Sequence, residues 1–181
     1  LKPDTGEYVW HYQTTPGDTW DYDAVSPMMT MDLTMGGEKK HVLVQPNKNG
    51  MLYVLNVADG KLLSADAFTE VNWNTGVDMA TGRPKVVEAA KYEKEGWNLA
   101  PGVQGGHSWH PNAYSPDTGL IYIPTWESYF PMVRDPNYKP ATGGFNLGIS
   151  FAPNMTATNL KPTNKTGITG RLKAWDPVAR K

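Results

Sequence analysis

Short apolar runs alternate along this chain with turns rich in Gly, Pro, Asn and Asp. Residues 41–45 (His-Val-Leu-Val-Gln) and 51–56 (Met-Leu-Tyr-Val-Leu-Asn) flank Pro46-Asn47-Lys48-Asn49-Gly50. An Asn-Gly pair between two β-rich runs predicts a hairpin. Asp59-Gly60 then turns the chain into Lys61-Leu62-Leu63-Ser64, which extends the prediction to a three-strand meander. Residues 113–115, the turn Pro116-Asp117-Thr118-Gly119 and residues 120–124 predict a second hairpin. Helical spacing is scarce, and residues 89–94 make at most a short surface helix. With 18 Gly, 15 Pro and 11% aromatic residues, the expected class is all-β and turn-rich.

One device recurs. Pro3-Asp4-Thr5-Gly6-Glu7-Tyr8-Val9-Trp10 sets a Trp shortly after a turn glycine, and residues 56–64 repeat the frame with Ser64 in the Trp position. Residues 174–181 begin it again and break off. Gly6 and Gly60 are 54 residues apart, a spacing suited to one four-stranded propeller blade with its loops. Two stretches interrupt the pattern. Residues 70–106 are loop-rich, with Trp73, Trp97 and paired Gly105-Gly106. Residues 129–170 form a long polar excursion of the kind that is either functional or disordered. Within it, Asn154-Met155-Thr156 and Asn164-Lys165-Thr166 match the glycosylation acceptor pattern, a short motif of little weight by itself.

Charge and composition narrow the function. The chain's 181 residues suffice for a real core. The 17 basic residues nearly balance the 18 acidic ones and form no stripe, which argues against nucleic acid as a partner. No apolar run approaches a membrane span. The lack of Cys removes disulfides, thiolate metal sites and a Cys nucleophile from these residues.

The most informative chemistry lies in Trp20-Asp21-Tyr22-Asp23. The neighbouring aromatic and β-branched residues predict a strand, in which Asp21 and Asp23 project to one face with Trp20 and Tyr22 opposite. Two carboxylates that close repel unless a cation lies between them or one holds a proton. The pair therefore suggests a metal clamp, a general base, or both, against the plainer alternative of a solvated strand face. Read alone, Lys48 is a solvated turn lysine. His107 and His110 hint at zinc but lack a third ligand. Glu127 beside Trp126 would suit glycoside hydrolysis only if it faced Asp21 across a cleft.

Trp20-Asp21-Tyr22-Asp23 with Met28-Met29, then residues 45–55, then Gly105-Gly106-His107-Ser108-Trp109-His110-Pro111, together resemble one family. It is that of the pyrroloquinoline quinone (PQQ) dependent alcohol dehydrogenases, the methanol and ethanol dehydrogenase group. The Gly-to-Trp repeats look like the tryptophan-docking motifs that lock its eight-bladed β-propeller. The resemblance implies that residues 1–181 are part of such a propeller domain, about two to three blades truncated at both ends. The activity it implies is oxidation of a primary alcohol to an aldehyde by hydride transfer to PQQ. A metal ion would serve as Lewis acid and Asp21 as the base that takes the hydroxyl proton.

Residue by residue, the resemblance gives Asp21 and Asp23 as metal ligands. Lys48 becomes a donor to the quinone oxygens. Ser108 stands where the family usually has Asn beside the cofactor, and Trp109 becomes a wall of its pocket. The additional carboxylate at Asp23 resembles the lanthanide-dependent branch, since a trivalent hard cation favours more anionic oxygen than Ca²⁺, the alternative ion. A periplasmic location follows from the same resemblance, with a cytochrome c, separate or fused, as electron acceptor. The competing expectation is a non-catalytic propeller scaffold of the same repeat type.

Overall fold

The computed structural model describes residues 1–144, 146–150 and 169–181. Both acceptor patterns, Asn154-Met155-Thr156 and Asn164-Lys165-Thr166, lie outside the described residues. Four strands form the first antiparallel sheet in sequence order: β1 (Met29–Met35), β2 (Glu38–Pro46), β3 (Met51–Asn56) and β4 (Leu62–Ala67). The predicted meander is β2–β3–β4. Sequence reading missed β1, which pairs along its whole length with β2, from Met29 opposite Val44 to Met35 opposite Glu38.

Strand β5 (Asn74–Val77) pairs with β6 (Pro84–Val86), and β7 (Trp97–Leu99) pairs with β10 (Phe130–Met132). The predicted second hairpin is β8 (Ala113–Ser115) and β9 (Leu120–Glu127), with β11 (Thr169–Trp175) added on the far side of β9. The loop-rich reading of residues 70–106 therefore overlooks three short strands, and the 129–170 excursion opens with a strand. The expected surface helix is a single 3₁₀ turn, Glu88–Lys91.

Burial explains the order of the sheets. Every residue of β3 except Asn56 is buried, because both faces of the first sheet are covered. On one face Val42, Val44, Leu52 and Val54 pack with Ile121 and Ile123 of β9, joining the first sheet to the third. On the other, Met51, Tyr53 and Leu55 pack with Leu62, Trp10 and Tyr12. Strand β9 alternates buried and half-buried positions, as expected of a sheet with one core face.

The repeated turn has a common geometry. The amides of Gly6, Gly60, Gly82 and Gly119 donate to the carbonyls of Lys2, Asn56, Asp78 and Ser115, each at 2.8 Å. All four glycines have φ between 70° and 72°, the left-handed region that glycine enters without steric cost. Arg180 takes the same place in the last turn, with φ 62° and its amide 2.8 Å from the Asp176 carbonyl. Trp10 lies flat on Gly60, where a Cβ would come within 2.6 Å of the indole, and its Nε1 donates to the Val57 carbonyl at 2.8 Å. The Trp of one repeat thus docks on the turn of the next. Tyr12 does the same at Gly82, its hydroxyl donating to the Gly82 carbonyl at 2.7 Å.

Candidate active site

Lys48 sits at the tip of the β2–β3 hairpin, in a turn held by buried amides. The Asn47 side chain accepts the Asn49 amide at 3.1 Å, and the Asn49 side chain accepts the Met51 amide at 3.0 Å. Asn49 Nδ2 also donates to Tyr53 Oη at 2.9 Å and Thr15 Oγ1 at 3.1 Å, while the Asn49 carbonyl accepts Trp73 Nε1 at 2.9 Å. Behind the turn, the Lys48 carbonyl accepts the Gly106 amide at 2.9 Å. Gly105 lies so close that a Cβ there would fall 2.3 Å from Lys48 Cγ and 2.7 Å from its carbonyl oxygen. Paired glycines at 105–106 are what let this loop approach the hairpin, and they bring Ser108 to the same cleft.

Residues 20–23 are not a strand, which corrects the sequence expectation. The segment has no ladder partner, and Asp21 has φ 67°, a left-handed conformation in which Asp is better tolerated than most residues. Local bonds from Asp18 and distant tertiary contacts together impose this shape. Asp18 accepts the backbone amides of Trp20 (2.9 Å) and Tyr22 (2.7 Å), one on each carboxylate oxygen. Trp20 Nε1 donates to the Ala90 carbonyl at 2.7 Å, and the Tyr22 hydroxyl donates to the Pro101 carbonyl. The two rings pack with Trp73, at centroid separations of 5.0 to 5.9 Å. The expected alternation survives without the strand: Trp20 and Tyr22 are buried, while Asp21 and Asp23 are exposed.

The hairpin and the aspartate loop meet at one ammonium. Lys48 Nζ donates to Asp23 Oδ1 at 2.6 Å and to Asp21 Oδ2 at 3.2 Å. The lysine side chain is 10% exposed and the carboxylates 53% and 74%. Burial works against the ammonium, but the hydrogen bonds and charges of Asp23 and Asp21 outweigh it and hold the Lys48 pKa above its usual value. Burial also raises the Asp18 pKa, although the amides of Trp20 and Tyr22 pull it the other way.

Asp21 and Lys48 open onto a cleft of about 650 Å³, together with Asp18, Trp20 and Ser108. Trp109 does not line it. Its side chain is largely exposed and stacks on His110 at 4.5 Å, so the structure does not place it as a wall of this cleft. His107 is buried with Nδ1 2.7 Å from the Pro124 carbonyl, and burial lowers its pKa. Glu127 is held by Arg171 and Lys173, each at 2.9 Å, and faces no second acid of the cleft. Sequence reading also missed Asp18 and Tyr92. Asp18 carried a signal, an acidic residue just ahead of an aromatic turn, whereas nothing marked Tyr92.

The donor chemistry fits a hard cation beside a polar ring system. Asp21 and Asp23 each keep one carboxylate oxygen without a partner among the described residues, and Lys48 and Ser108 present hydrogen-bond donors to the cleft. No group of three or more potential metal-ligating side chains occurs among the described residues. A metal held here would complete its ligands from elsewhere.

Residues 1–71 match the family model described as the PQQ glucose/ethanol/alcohol dehydrogenase beta-propeller domain. The chain has the fold of a fragment of a β-propeller of this kind. It is 41% identical to the quinohemoprotein alcohol dehydrogenase ADH-IIG of Pseudomonas putida, over 98% of this chain and 26% of that protein. The crystal structure of quinohemoprotein alcohol dehydrogenase from Comamonas testosteroni superimposes with TM-score 0.85 at 36% identity, covering 99% of this chain and 27% of that one. A europium-containing methanol dehydrogenase gives TM-score 0.79 at 31% identity, covering 99% and 30%. These likenesses support membership of the PQQ-dependent alcohol dehydrogenase family. The chain spans about a quarter of the length of the curated relatives it matches.

Proposed function

We propose that this chain supplies part of the active site of a PQQ-dependent enzyme that oxidises primary alcohols to aldehydes. The observation that carries the reading is the ion-paired set of Lys48 with Asp21 and Asp23, of which Lys48 and Asp21 line the cleft, in a chain 98% of which aligns with about a quarter of a quinohemoprotein alcohol dehydrogenase. When bound, PQQ supplies the electron acceptor and the metal supplies Lewis acidity. Asp21 accepts the alcohol's hydroxyl proton on Oδ1, the oxygen that Lys48 does not engage. Lys48 is held by its bonds to Asp21 and Asp23. It offers its ammonium protons to the quinone oxygens, a preorganised donor of the kind that matters most away from water. Ser108 adds a shorter-reaching hydroxyl donor. Asp18 keeps the aspartate loop in its left-handed turn, from which Asp21 and Asp23 would hold the ion.

Asp23 is the reason to favour a lanthanide over Ca²⁺, since it adds a second anionic oxygen donor beside the first. One residue carries that choice, and the quinohemoprotein relatives share more identity with this chain than the europium-containing enzyme does. Electrons would leave through a cytochrome c, consistent with quinohemoprotein relatives, and the protein would work in the periplasm, where osmotic-shock fractionation would find it.

Dye-linked ethanol oxidation by the full-length protein, reconstituted with PQQ and either La³⁺ or Ca²⁺, tests the reading. Activity with La³⁺ alone supports it with the metal role of Asp23. Activity with Ca²⁺ alone keeps the enzyme and removes the lanthanide assignment. Failure with both, with no quinone bound, would favour the non-catalytic scaffold.

A further inference from the structure

A second cavity, of about 750 Å³, adjoins the catalytic cleft. Thr19 and Tyr92 line both. The strip 147–149 divides its residues, with Leu147 and Ile149 lining the cleft and Gly148 lining the second cavity. Lys91, Glu93, Arg134 and Asp135 also line the second cavity. The cleft lining includes the apolar Val103, Phe130 and Met132. The two spaces are thus a partly apolar chamber and a charged vestibule with a shared wall.

Tyr92 is held in that wall at a conformational cost. Its φ is 47°, one of three left-handed non-glycine residues among those described, and it shares this feature and the cleft with Asp21. Residues kept in such regions cost about 1–3 kcal/mol and cluster at functional sites. The hydroxyl donates to the Thr19 carbonyl at 2.7 Å and lies 3.0 Å from Thr19 Oγ1. That pair ties the end of the 3₁₀ turn to the loop that carries Asp21, while the ring itself lines both spaces.

We propose that Tyr92 determines substrate size, its ring closing the catalytic cleft against the vestibule and limiting the length of the aliphatic alcohol that reaches Asp21. The inference rests on the alcohol-oxidising reading of the cleft. Removing the ring would merge the two cavities and let a longer chain extend into the vestibule. Removing only the hydroxyl would leave the ring as the boundary.

The test compares kcat/KM for 1-octanol and ethanol in the full-length enzyme carrying Tyr92→Ala, Tyr92→Leu or Tyr92→Phe. The octanol-to-ethanol ratio should rise about tenfold in Y92A, a discrimination of the size that pocket contacts supply. It should rise in the same direction in Y92L and stay within about twofold of the parent in Y92F. Y92L decides the matter if Y92A does not fold. Without PQQ, quenching of tryptophan emission by 8-bromo-1-octanol should also deepen in Y92A and Y92L, since Trp20 lines the cleft. A general structural role for Tyr92 would lower both alcohols' kcat/KM together, and an unchanged ratio in the folded ring-deleted variant overturns the proposal. A parent enzyme that oxidises neither alcohol would instead remove the reading on which the proposal stands.

Discussion

The two halves of the site are built in opposite ways. Lys48 stands on a hairpin tip whose amides are satisfied within a few residues, between Asn47, Asn49 and Met51. Asp21 and Asp23 stand on an irregular loop whose anchors come from far along the chain: Ala90 for Trp20 and Pro101 for Tyr22. The first half is a tight turn that the sheet stiffens and that Thr15, Trp73 and Gly106 brace from a distance. The second combines the local bonds of Asp18 with those distant carbonyls. An ammonium on the rigid half then fixes where the two carboxylates of the adaptable half come to rest.

Substitutions should separate the halves. The largest effect belongs to Asp21→Asn, which keeps the shape of the loop and removes the base. Steady-state alcohol oxidation should fall about 10²- to 10⁴-fold in kcat, with quinone absorbance of the bound cofactor retained. An unchanged kcat would move the base elsewhere. Gly105→Ala attacks the rigid half, adding a Cβ into Lys48 at a backbone φ of 81°. Strain and overpacking together should cost about 2–4 kcal/mol, read from urea denaturation of the protein. Asp18→Ala attacks the adaptable half by freeing the amides of Trp20 and Tyr22. By analogy with the loss of a helix cap it should cost about 1–2 kcal/mol, with Asp18→Asn restoring part of it because its amide oxygen can still accept one bond.

The smallest expected effect is one of pH. Burial lowers the pKa of His107, so its contribution to stability is complete above the unfolded value of 6.5 and is lost as pH falls below that toward the native pKa. Urea midpoints should therefore decline between pH 7 and pH 5, and His107→Gln should flatten that decline. A slope equal to the parent's would assign it to other groups.

The hairpin, the meander and the recurring turn were legible in the chain because each is written in neighbouring residues, such as Asn49-Gly50 or Asp59-Gly60. The frame that sets Trp10 after Gly6 was legible as a motif, and the structure adds what the indole meets, Gly60, which leaves room for it. The conformation of residues 20–23 was not. Their composition favours a strand, but Asp18 and the distant carbonyls that hold Trp20 and Tyr22 override that preference. Strand β1 was missed because only Met31 and Leu33 are buried in it, and the half-buried Met29 and Met35 with the exposed Thr30, Asp32 and Thr34 make a weak apolar signal. Lys48 shows the same limit from the other side, since nothing local distinguishes it from a solvated turn lysine until the aspartates are brought within 2.6 and 3.2 Å.

The claim that these three residues form a cofactor site is tested most directly by titrating PQQ into the full-length protein with La³⁺ or Ca²⁺ present, followed by quinone absorbance, for the parent and for Lys48→Ala. The account predicts saturable binding of one PQQ per chain in the parent. In Lys48→Ala it predicts binding at least about tenfold weaker, as expected on losing a charged hydrogen-bond donor, with the melting temperature little changed. Equal affinity in the two proteins, or no saturable binding with either ion, would contradict it.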